Sequence, residues 1–551
     1  MPNSNRAVAL LIAVLGLVQC WSQNADMSSE PTSGDLLSIE ILRGQRSVGS
    51  GSILPPRLGD LLPQGMAQDT FQRYLASYYW PLADTLEQAW ELLPLHAGRR
   101  AIASVRDSVL ALRIDASASA RGGMLEWDGS DAIATGRLSM RALGQIATHW
   151  SFLLDLANGA LLRGIPERIA PTEPDMARSR RLFLDDRRFY DRALGAVQYE
   201  GSLGRIRFGR DVVGWGYSPL GGGLLLSVPS PPLDHLLLDL RYGALRFSYL
   251  HAAAIGSDAM GQDVPTKFIA AHRLQVDPSP QLSLAISDAI VYSGRGIDLA
   301  YLNPLGFYVS SGMLSQERNE RDNSLLAAEI GWRPLDGTLL YGTLLADDIG
   351  FSTLADTSWR GNNNKYAWQV GGVHLLRVAD IPIIATAEYV RINPFVYSHR
   401  TIVNSWTSQG EVLGALQQPN SDRWTLGVTL LFAPRMRLAL RADYIRWGEN
   451  WLDSTGHVRT ALLPGTTIAV PVGNVGGDAN DGDGDVLPEP FAVGNRFLRG
   501  NVSHTRRMQA WVSLEPVPNV FFDLRAEYLL RTGGNAPMER WWWWVQLRIG
   551  Y

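Results

Sequence analysis

The chain has 551 residues and a formal net charge of -4, and 46% of its residues are hydrophobic although the mean hydropathy is only -0.05. So small a net charge gives no basic surface of the kind that binds nucleic acid, and no apolar run approaches the ~20 residues that a membrane-spanning helix needs. A β-barrel fits this composition, because lipid-facing apolar residues alternate there with polar residues that face the lumen.

Residues 1–22 have the pattern of a secretory signal peptide. A positively charged start precedes the apolar core at residues 7–18, and small or tolerated residues follow at Cys20 and Ser22. This pattern predicts export from the cytoplasm, with cleavage near Cys20 or Ser22. The four residues that end at Cys20 also resemble a lipobox, in which Cys20 would carry a lipid, but Gln19 departs from the small residue usual there. Cys20 is the one cysteine, so no internal disulfide forms.

Residues 23–100 are predicted to form a linker followed by a short helical segment on the periplasmic side. Residues 24–56 are polar and rich in serine and glycine, as linkers are. Across residues 68–95 apolar side chains recur at three- and four-residue steps, which predicts amphipathic helix, and Pro81 divides it into two pieces. We expect this segment to pack against the barrel mouth. The alternative is a plug or a docking surface for a periplasmic partner.

Residues 101–551 alternate between apolar and polar side chains in short segments. Leu236, Leu238 and Leu240 oppose Asp239 and Arg241, and similar segments recur towards the C-terminus. A period of two predicts β-strands with one apolar face, and charges of both signs on the other face indicate a polar lumen. The sequence therefore predicts an all-β fold, a transmembrane antiparallel β-barrel of about 18 strands with a short N-terminal helical periplasmic segment.

The links between these segments fall into two classes. Residues 333–337 and 433–435 are tight turns, whereas residues 351–366, 399–423 and 447–507 are long links. Short turns on one side and long loops on the other are typical of outer-membrane barrels. About 450 residues at roughly 20 to 25 per strand and link give on the order of 16 to 20 strands.

The last eleven residues, 541–551, have the pattern of a closing strand. Every second residue is apolar: Trp541, Trp543, Val545, Leu547, Ile549 and Tyr551. The length suits a tilted membrane-spanning strand, and the tryptophans at one end suit an interfacial aromatic girdle. The alternative is a strand of a soluble sandwich that is buried on one side. Because an unpaired edge is not tolerated in lipid, this strand should close the barrel and should be recognised by the barrel-assembly machinery.

Nine short motifs between residues 205 and 399 together resemble a known family. They are residues 210–216 (Arg-Asp-Val-Val-Gly-Trp-Gly), 221–227 (Gly-Gly-Gly-Leu-Leu-Leu-Ser), 231–234 (Pro-Pro-Leu-Asp), 271–274 (Ala-His-Arg-Leu), 292–296 (Tyr-Ser-Gly-Arg-Gly), 301–305 (Tyr-Leu-Asn-Pro-Leu), 321–324 (Arg-Asp-Asn-Ser), 347–348 (Asp-Asp) and 389–394 (Tyr-Val-Arg-Ile-Asn-Pro). In order and spacing the series resembles the Wzi-like capsule-assembly family of outer-membrane proteins. No single motif is specific to that family.

The resemblance implies an eighteen-stranded barrel in the cell outer membrane with a helical element on the periplasmic side. It also implies a lectin-like function, in which the barrel binds or organises capsular or exopolysaccharide at the cell surface. The expected partners are outer-membrane lipids and surface polysaccharide, and no nucleic acid. Two alternatives are a diffusion porin or solute transporter, and an enzyme with a Ser–His pair assembled across strands.

Catalysis has little support in the residues. The histidines are scattered without a His-x-x-x-His or His-x-His pair for a metal, and no Gly-x-Ser-x-Gly elbow occurs. The sequence therefore predicts a protein that is not an enzyme and that has no cofactor, with one exception to consider. Asp478, Asn480, Asp481, Asp483 and Asp485 form an acidic, glycine-rich stretch that could hold Ca²⁺ through oxygen ligands. The alternative is a solvated surface loop.

Aromatic and arginine residues in the long links are candidates for contact with polysaccharide. The candidates are Trp359, Arg360, Arg400, Trp406, Trp447 and Trp451. Flat rings stack on sugar faces, and guanidinium groups pair with the carboxylates of acidic sugars. Packing or girdle roles are the alternative for each. Arginine dominates the basic residues, since only Lys267 and Lys365 among the 50 are lysine, and arginine suits networks with carboxylates in a lumen.

Overall fold

Eighteen antiparallel strands form a closed barrel in the computed structural model. The model describes residues 51–52, 102–106, 109–147, 149–173, 175–176, 178, 188–218, 220, 222–256, 266–306, 308, 322–335, 338–347, 364–378, 381–415, 417–433, 436–464, 466–483, 496–517 and 520–550. The predicted signal peptide and the predicted helical segment, residues 68–95, lie outside this part, as do Trp359, Arg360 and Asp485. Of residues 23–100, only Gly51–Ser52 is described, as a short strand paired with Val213–Gly214.

The strands of the barrel follow one another in chain order. They are β1 (Leu110–Glu126), β2 (Ser130–Ile146), β3 (Trp150–Arg163), β4 (Phe189–Gly201), β5 (Gly204–Asp211), β6 (Leu233–Tyr242), β7 (Leu245–Ala254), β8 (Lys267–Ser279), β9 (Leu282–Ser293), β10 (Asn323–Trp332), β11 (Thr338–Asp347), β12 (Lys365–Val378), β13 (Ile381–Ile392), β14 (Ser421–Ala433), β15 (Met436–Glu449), β16 (Asn501–Val517), β17 (Val520–Gly533) and β18 (Met538–Gly550). Each pairs with the next, and β18 pairs with β1 through residues such as Trp541 and Glu126. The predicted fold class and strand number are confirmed.

The described parts of the links contain only short helices and short strands. Within the described residues the helices are Pro166–Ile169, Leu299–Leu302 and the 3-10 turns Ala170–Thr172 and Ile402–Asn404. Short strands pair Ala103–Arg106 with β1, Thr407–Ser408 with Glu411–Val412, and Ala461–Leu462 with Ala469–Val470. None of the helices in the described part of the chain has the length and apolar composition of a membrane-spanning helix.

All long links lie at one end of the barrel, together with the short turns at residues 127–129 and 534–537, and the links at the other end are all short. Residues 243–244, 280–281 and 518–519 are short, whereas residues 393–420 and 450–500 are long. In outer-membrane barrels the short turns are periplasmic and the long loops are extracellular. This convention sets the orientation used below, with the upper end extracellular.

The closing strand β18 separates its two faces as the alternation predicts, but its tryptophans divide between them. Val545 is 44% exposed on the outer face. Trp542 and Trp544 are buried inside the lumen, where their rings stack 6.4 Å apart. The guanidinium of Arg525 lies 5.2 Å from the centre of the Trp542 ring. Half of the expected aromatic girdle therefore belongs to the interior.

Arginine–carboxylate pairs line the lower lumen, as the mixed charges of the inward faces predict. Asp239 on β6 accepts hydrogen bonds from Arg246 and Arg205 on the strands at either side. Buried pairs also join Arg273 with Glu329 and Arg423 with Glu388. Because the planar guanidinium donates in two directions, one arginine can bridge neighbouring strands at the same level.

The seam between β18 and β1 contains a glycine with no room for a side chain. A Cβ atom on Gly123 would lie 2.1 Å from the Trp543 carbonyl oxygen and 2.6 Å from the Trp544 Cα. Gly122, its neighbour on the outer face, has nothing within 4 Å of the same position. The close approach of the two strands therefore requires glycine at residue 123 alone.

We expect Gly123→Ala to impair closure of the barrel, because backbone atoms of β18 would have to move. The fraction of folded chain, measured as the heat-modifiable band on a polyacrylamide gel, should fall by more than half. Gly122→Ala is the matched control and should fold as the parent does. Equal folding of both variants would contradict the seam assignment.

Candidate functional site

Three extracellular loops fold into the upper lumen and form an apolar plug. Residues 212–232, 393–415 and 470–483 contribute buried side chains, and the inward faces of β6 to β13 contribute the rest. The largest members are Trp215, Tyr397 and Trp406, which are at most 2% exposed. The inward faces of these strands are therefore apolar near the extracellular end and charged below it. We call this set of loops the plug.

Direct hydrogen bonds tie the plug loops to one another. The Trp406 indole N–H donates to the Leu225 carbonyl at 2.7 Å, and the Tyr397 hydroxyl donates to the Leu224 carbonyl at 2.5 Å. Phe395 and Tyr397 have φ values of 62° and 72°, a left-handed conformation that bulky residues adopt only when their surroundings compel it. The plug is thus a packed element and not a loosely held loop.

Both lysines of the chain anchor the plug to the barrel wall. Lys267, the first residue of β8, is 2% exposed and donates to the carbonyls of Ser405 and Thr407, each at 2.7 Å. Lys365, the first residue of β12, is 1% exposed and lies 2.5 Å from an Asp483 oxygen. A compact ammonium with three donors fits such closely spaced acceptors, whereas a planar guanidinium needs a wider site.

A second cluster fills the upper lumen on the opposite side. Ile169 and Met176 of the link between β3 and β4 are fully buried against Leu125, Trp542 and Trp544. Glu173 of the same link lies 3.5 Å from the guanidinium of Arg121. This link therefore also folds inwards.

The described part of the predicted Ca²⁺ stretch, residues 478–483, belongs to the plug, and its acidic side chains contact different partners. Asp478 accepts from the Asn480 backbone N–H at 2.8 Å, Asp481 accepts from Asn450 at 2.6 Å, and Asp483 pairs with Lys365. Burial, together with the charge of Asp478, raises the pKa of Asp481. Within the described residues no group of three or more histidine, cysteine or acidic side chains could hold a metal. These side chains hold the plug together, and Asp485 lies outside the described residues, so the calcium site stays a prediction.

Above the plug, residues 450–469 and 496–500 form a cap over the rim at β15 to β17. Trp451 is partly exposed, and the Arg499 guanidinium lies 5.5 Å from the centre of its ring. Trp447, also partly exposed, has the Arg531 guanidinium at 5.2 Å and donates its indole N–H to the Gly477 carbonyl at 2.7 Å. Two tryptophan–arginine pairs therefore lie side by side at the extracellular end, and we call them the rim pairs.

Asparagine side chains fix the cap in place. Asn450 accepts from the backbone N–H groups of Val475 and Gly477 at 2.9 and 3.0 Å. Asn420 donates to the carbonyls of Gly448 and Arg499 at 2.7 and 2.8 Å. Because backbone groups are held from several directions, the rim pairs are supported by a rigid scaffold.

The predicted sugar-contacting residues therefore have different outcomes. Trp406 is a core residue of the plug with 0% exposure, so its ring has no surface to offer a sugar. Trp447 and Trp451 lie together in the rim pairs, and Arg400 is exposed on the extracellular loop 393–420. Arg499 and Arg531 were not recognised from the sequence. No local pattern marks them, since each meets its tryptophan only through folding.

Comparison with known proteins identifies one matching family and several solved β-barrel structures of similar fold. The model of the family described as capsule assembly protein Wzi matches residues 194–468. A solved structure described as Wzi, an outer-membrane protein involved in group 1 capsule assembly in Escherichia coli and a carbohydrate-binding β-barrel, is 12% identical, with a TM-score of 0.52 over 96% of this chain and 98% of that chain. No protein with curated function matches the sequence.

Two further barrels are more distant. Pseudomonas aeruginosa OprD is 11% identical, with a TM-score of 0.41 over 82% of this chain and 97% of its own. Acinetobacter baumannii OccAB1 is 11% identical, with a TM-score of 0.40 over 83% of this chain and 99% of its own.

Proposed function

Because this chain belongs to the capsule assembly protein Wzi family through residues 194–468, we propose that it binds or organises surface polysaccharide at the extracellular end of its barrel. An eighteen-stranded barrel with an apolar outer face is an outer-membrane protein. The polysaccharide would be capsular or exopolysaccharide, held in a lectin-like manner.

The plug is the observation that favours this function over a diffusion porin. A general porin keeps a water-filled channel along its axis. In this barrel, the buried side chains of three loops occupy the upper lumen between β6 and β13. Solute diffusion would have to displace Trp406 and Tyr397, which are tied to neighbouring carbonyls. A binding function uses the extracellular surface and needs no such path.

The rim pairs supply chemistry that suits an acidic polysaccharide. The flat face of an indole packs against the C–H face of a sugar ring, and a guanidinium donates two parallel hydrogen bonds to a carboxylate. Trp451 and Arg499 would provide these groups on the cap. Trp447 lies beside them, and its neighbour Arg531 already pairs with Glu449. Arg400 would add positive charge from the neighbouring loop. Binding alone accounts for this arrangement, so we propose no reaction.

The remaining partners follow from the barrel itself. The outer face of the strands contacts membrane lipids. We further propose that β18 is the segment recognised by the barrel-assembly machinery, because it completes the ring by pairing with β1.

A strain that lacks the gene should still make polysaccharide but release it into the medium. The measurement is the ratio of cell-bound to shed polysaccharide, with the parent and a complemented strain alongside. Complementation with Trp451→Ala should restore only part of the ratio. We expect its affinity for the organism's own polysaccharide to be about tenfold weaker, equivalent to ~1.4 kcal/mol of lost stacking.

Trp424→Ala is the matched control, since Trp424 is 55% exposed on the outer face of β14 and contacts Tyr389 there. This variant should retain polysaccharide as the parent does. An unchanged ratio in the deletion strain would refute the attachment function. Equal loss in both tryptophan variants would refute the rim pairs as the site.

A further inference from the structure

One extracellular link lies against the outside of the barrel and not over its opening. Residues 294–306 and Tyr308, which follow β9, form what we call the outer strap. Tyr301 and Tyr308 are fully buried and pack on Ala270, Ile290 and Tyr292. All three of these wall residues face outwards, because their neighbours Ala271, Ala289 and Val291 belong to the inward core.

The outer strap reaches the middle of the wall. Its Tyr308 backbone N–H donates to an Asp288 carboxylate oxygen at 2.6 Å, and the Tyr308 ring stacks on His272 with centroids 4.1 Å apart. His272 and Asp288 are direct partners across β8 and β9. At ~3.4 Å per residue and a tilt of ~45°, the outward residues of β9 span about 24 Å, close to the ~25 Å apolar band of such barrels. Asp288 is the fourth of these six outward residues, near mid-band.

The outer strap hides polar groups that lipid would otherwise meet. Asp288 is 7% exposed, and His251 and His272 are each 8% exposed. Two tyrosines complete the cover, since the hydroxyls of Tyr249 and Tyr308 both donate to the Tyr301 carbonyl at 3.1 Å. A carboxylate in the hydrocarbon region is tolerated only where protein covers it. The strap therefore replaces the barrel's own surface at this position.

The outward side of the strap exposes three large apolar side chains and Asn303, and no described residue covers them. Ile297 is 55% exposed, Leu299 78% and Leu305 87%. Below the strap the same wall continues with Leu274 and Ile286, which face lipid with 39% and 62% exposure. We propose that the outer strap lies within the outer leaflet and that Leu299 and Leu305 contact lipid acyl chains. The strap thereby extends the lipid-facing surface over a polar patch of the wall.

Fluorescence quenching tests this proposal. Leu305→Cys and, separately, Leu299→Cys are made in the full chain with Cys20 replaced by serine, labelled with bimane and reconstituted in phosphatidylcholine vesicles. Lipids that carry a doxyl quencher on the acyl chain should remove most of the emission from both positions. Ile286→Cys is the lipid-facing control, and Thr455→Cys, on the exposed loop between β15 and β16, is the water-facing control.

Quenching at residue 305 that matches residue 286 supports the proposal. Quenching by aqueous iodide at the level of residue 455 would place the strap in water and overturn it. Protection from both quenchers would mean that a second protein surface covers the strap, which also overturns it. Because residues 299 and 305 are both tested, failure of one variant to fold leaves the other to decide. The result is independent of polysaccharide binding.

Discussion

Replacing Lys365 with methionine will release the plug and allow ions to pass. The Lys365 ammonium lies 2.5 Å from Asp483, and both side chains are nearly inaccessible. Removal of one partner of a buried ion pair costs ~3–5 kcal/mol, because the remaining charge stays in a medium that solvates it poorly. We expect residues 470–483 to move out of the lumen, because this movement relieves the cost of the unpaired charge. The measurement is single-channel conductance in a planar bilayer, with the parent closed and the variant open.

A double variant separates loss of charge from loss of packing. In Lys365→Met with Asp483→Leu, neither charge remains and apolar groups of similar size fill the space, which is often neutral for stability. The double variant should therefore return towards the closed parent. Steady conductance in the parent itself would contradict the closed plug and would favour the porin function. Conductance in the double variant equal to that of the single one would contradict the ion-pair explanation.

The second large effect is expected at Lys267, where arginine should not substitute although it keeps the charge. The Lys267 ammonium lies between the carbonyls of Ser405 and Thr407 in a site with no exposed edge. Arginine is longer and planar, so those carbonyls would lose their donor. A buried acceptor left without its donor costs ~1–3 kcal/mol. Amide hydrogen exchange in residues 398–415 should therefore accelerate roughly 5- to 150-fold.

Arg210→Lys provides the reciprocal control. Arg210 pairs with Asp234 at 2.7 Å on a partly exposed part of the wall, where exchange of one basic residue for another has little effect. Exchange rates in that variant should match the parent. If Lys267→Arg also matched the parent, the compact ammonium would not be the reason for lysine at this position.

The architecture was predictable because the alternation of apolar and polar residues within each strand identifies that strand and its two faces. Outward Leu238 and Leu240 and inward Asp239 on β6 can be assigned by counting alternate residues, and the same rule separates the two faces of β18. The contrast between short turns and long links is equally local. Strand and link lengths predicted on the order of 16 to 20 strands. The family resemblance implied eighteen, and the structure confirms eighteen.

The loops were not predictable by the same means, because their partners are distant in the sequence. Trp406 has the sequence context of an exposed loop residue, yet it donates to Leu225 in another loop and is buried. The Trp451–Arg499 pair likewise depends on how residues 450–500 return to the rim. Tyr301 and Asn303 occur in a motif that suggests only a turn. The role of this motif in the outer strap depends on contacts with three strands.

Because both lysines are buried, reagents that react with primary amines label the folded protein very little. Lys267 and Lys365 are 2% and 1% exposed, and the sequence has no other lysine. Reagents that biotinylate or cross-link primary amines on intact cells would find only the α-amino group. Surface inventories built on such labelling will therefore miss this barrel even where it is abundant. Labelling of Lys365, in turn, would report that the plug had left its place.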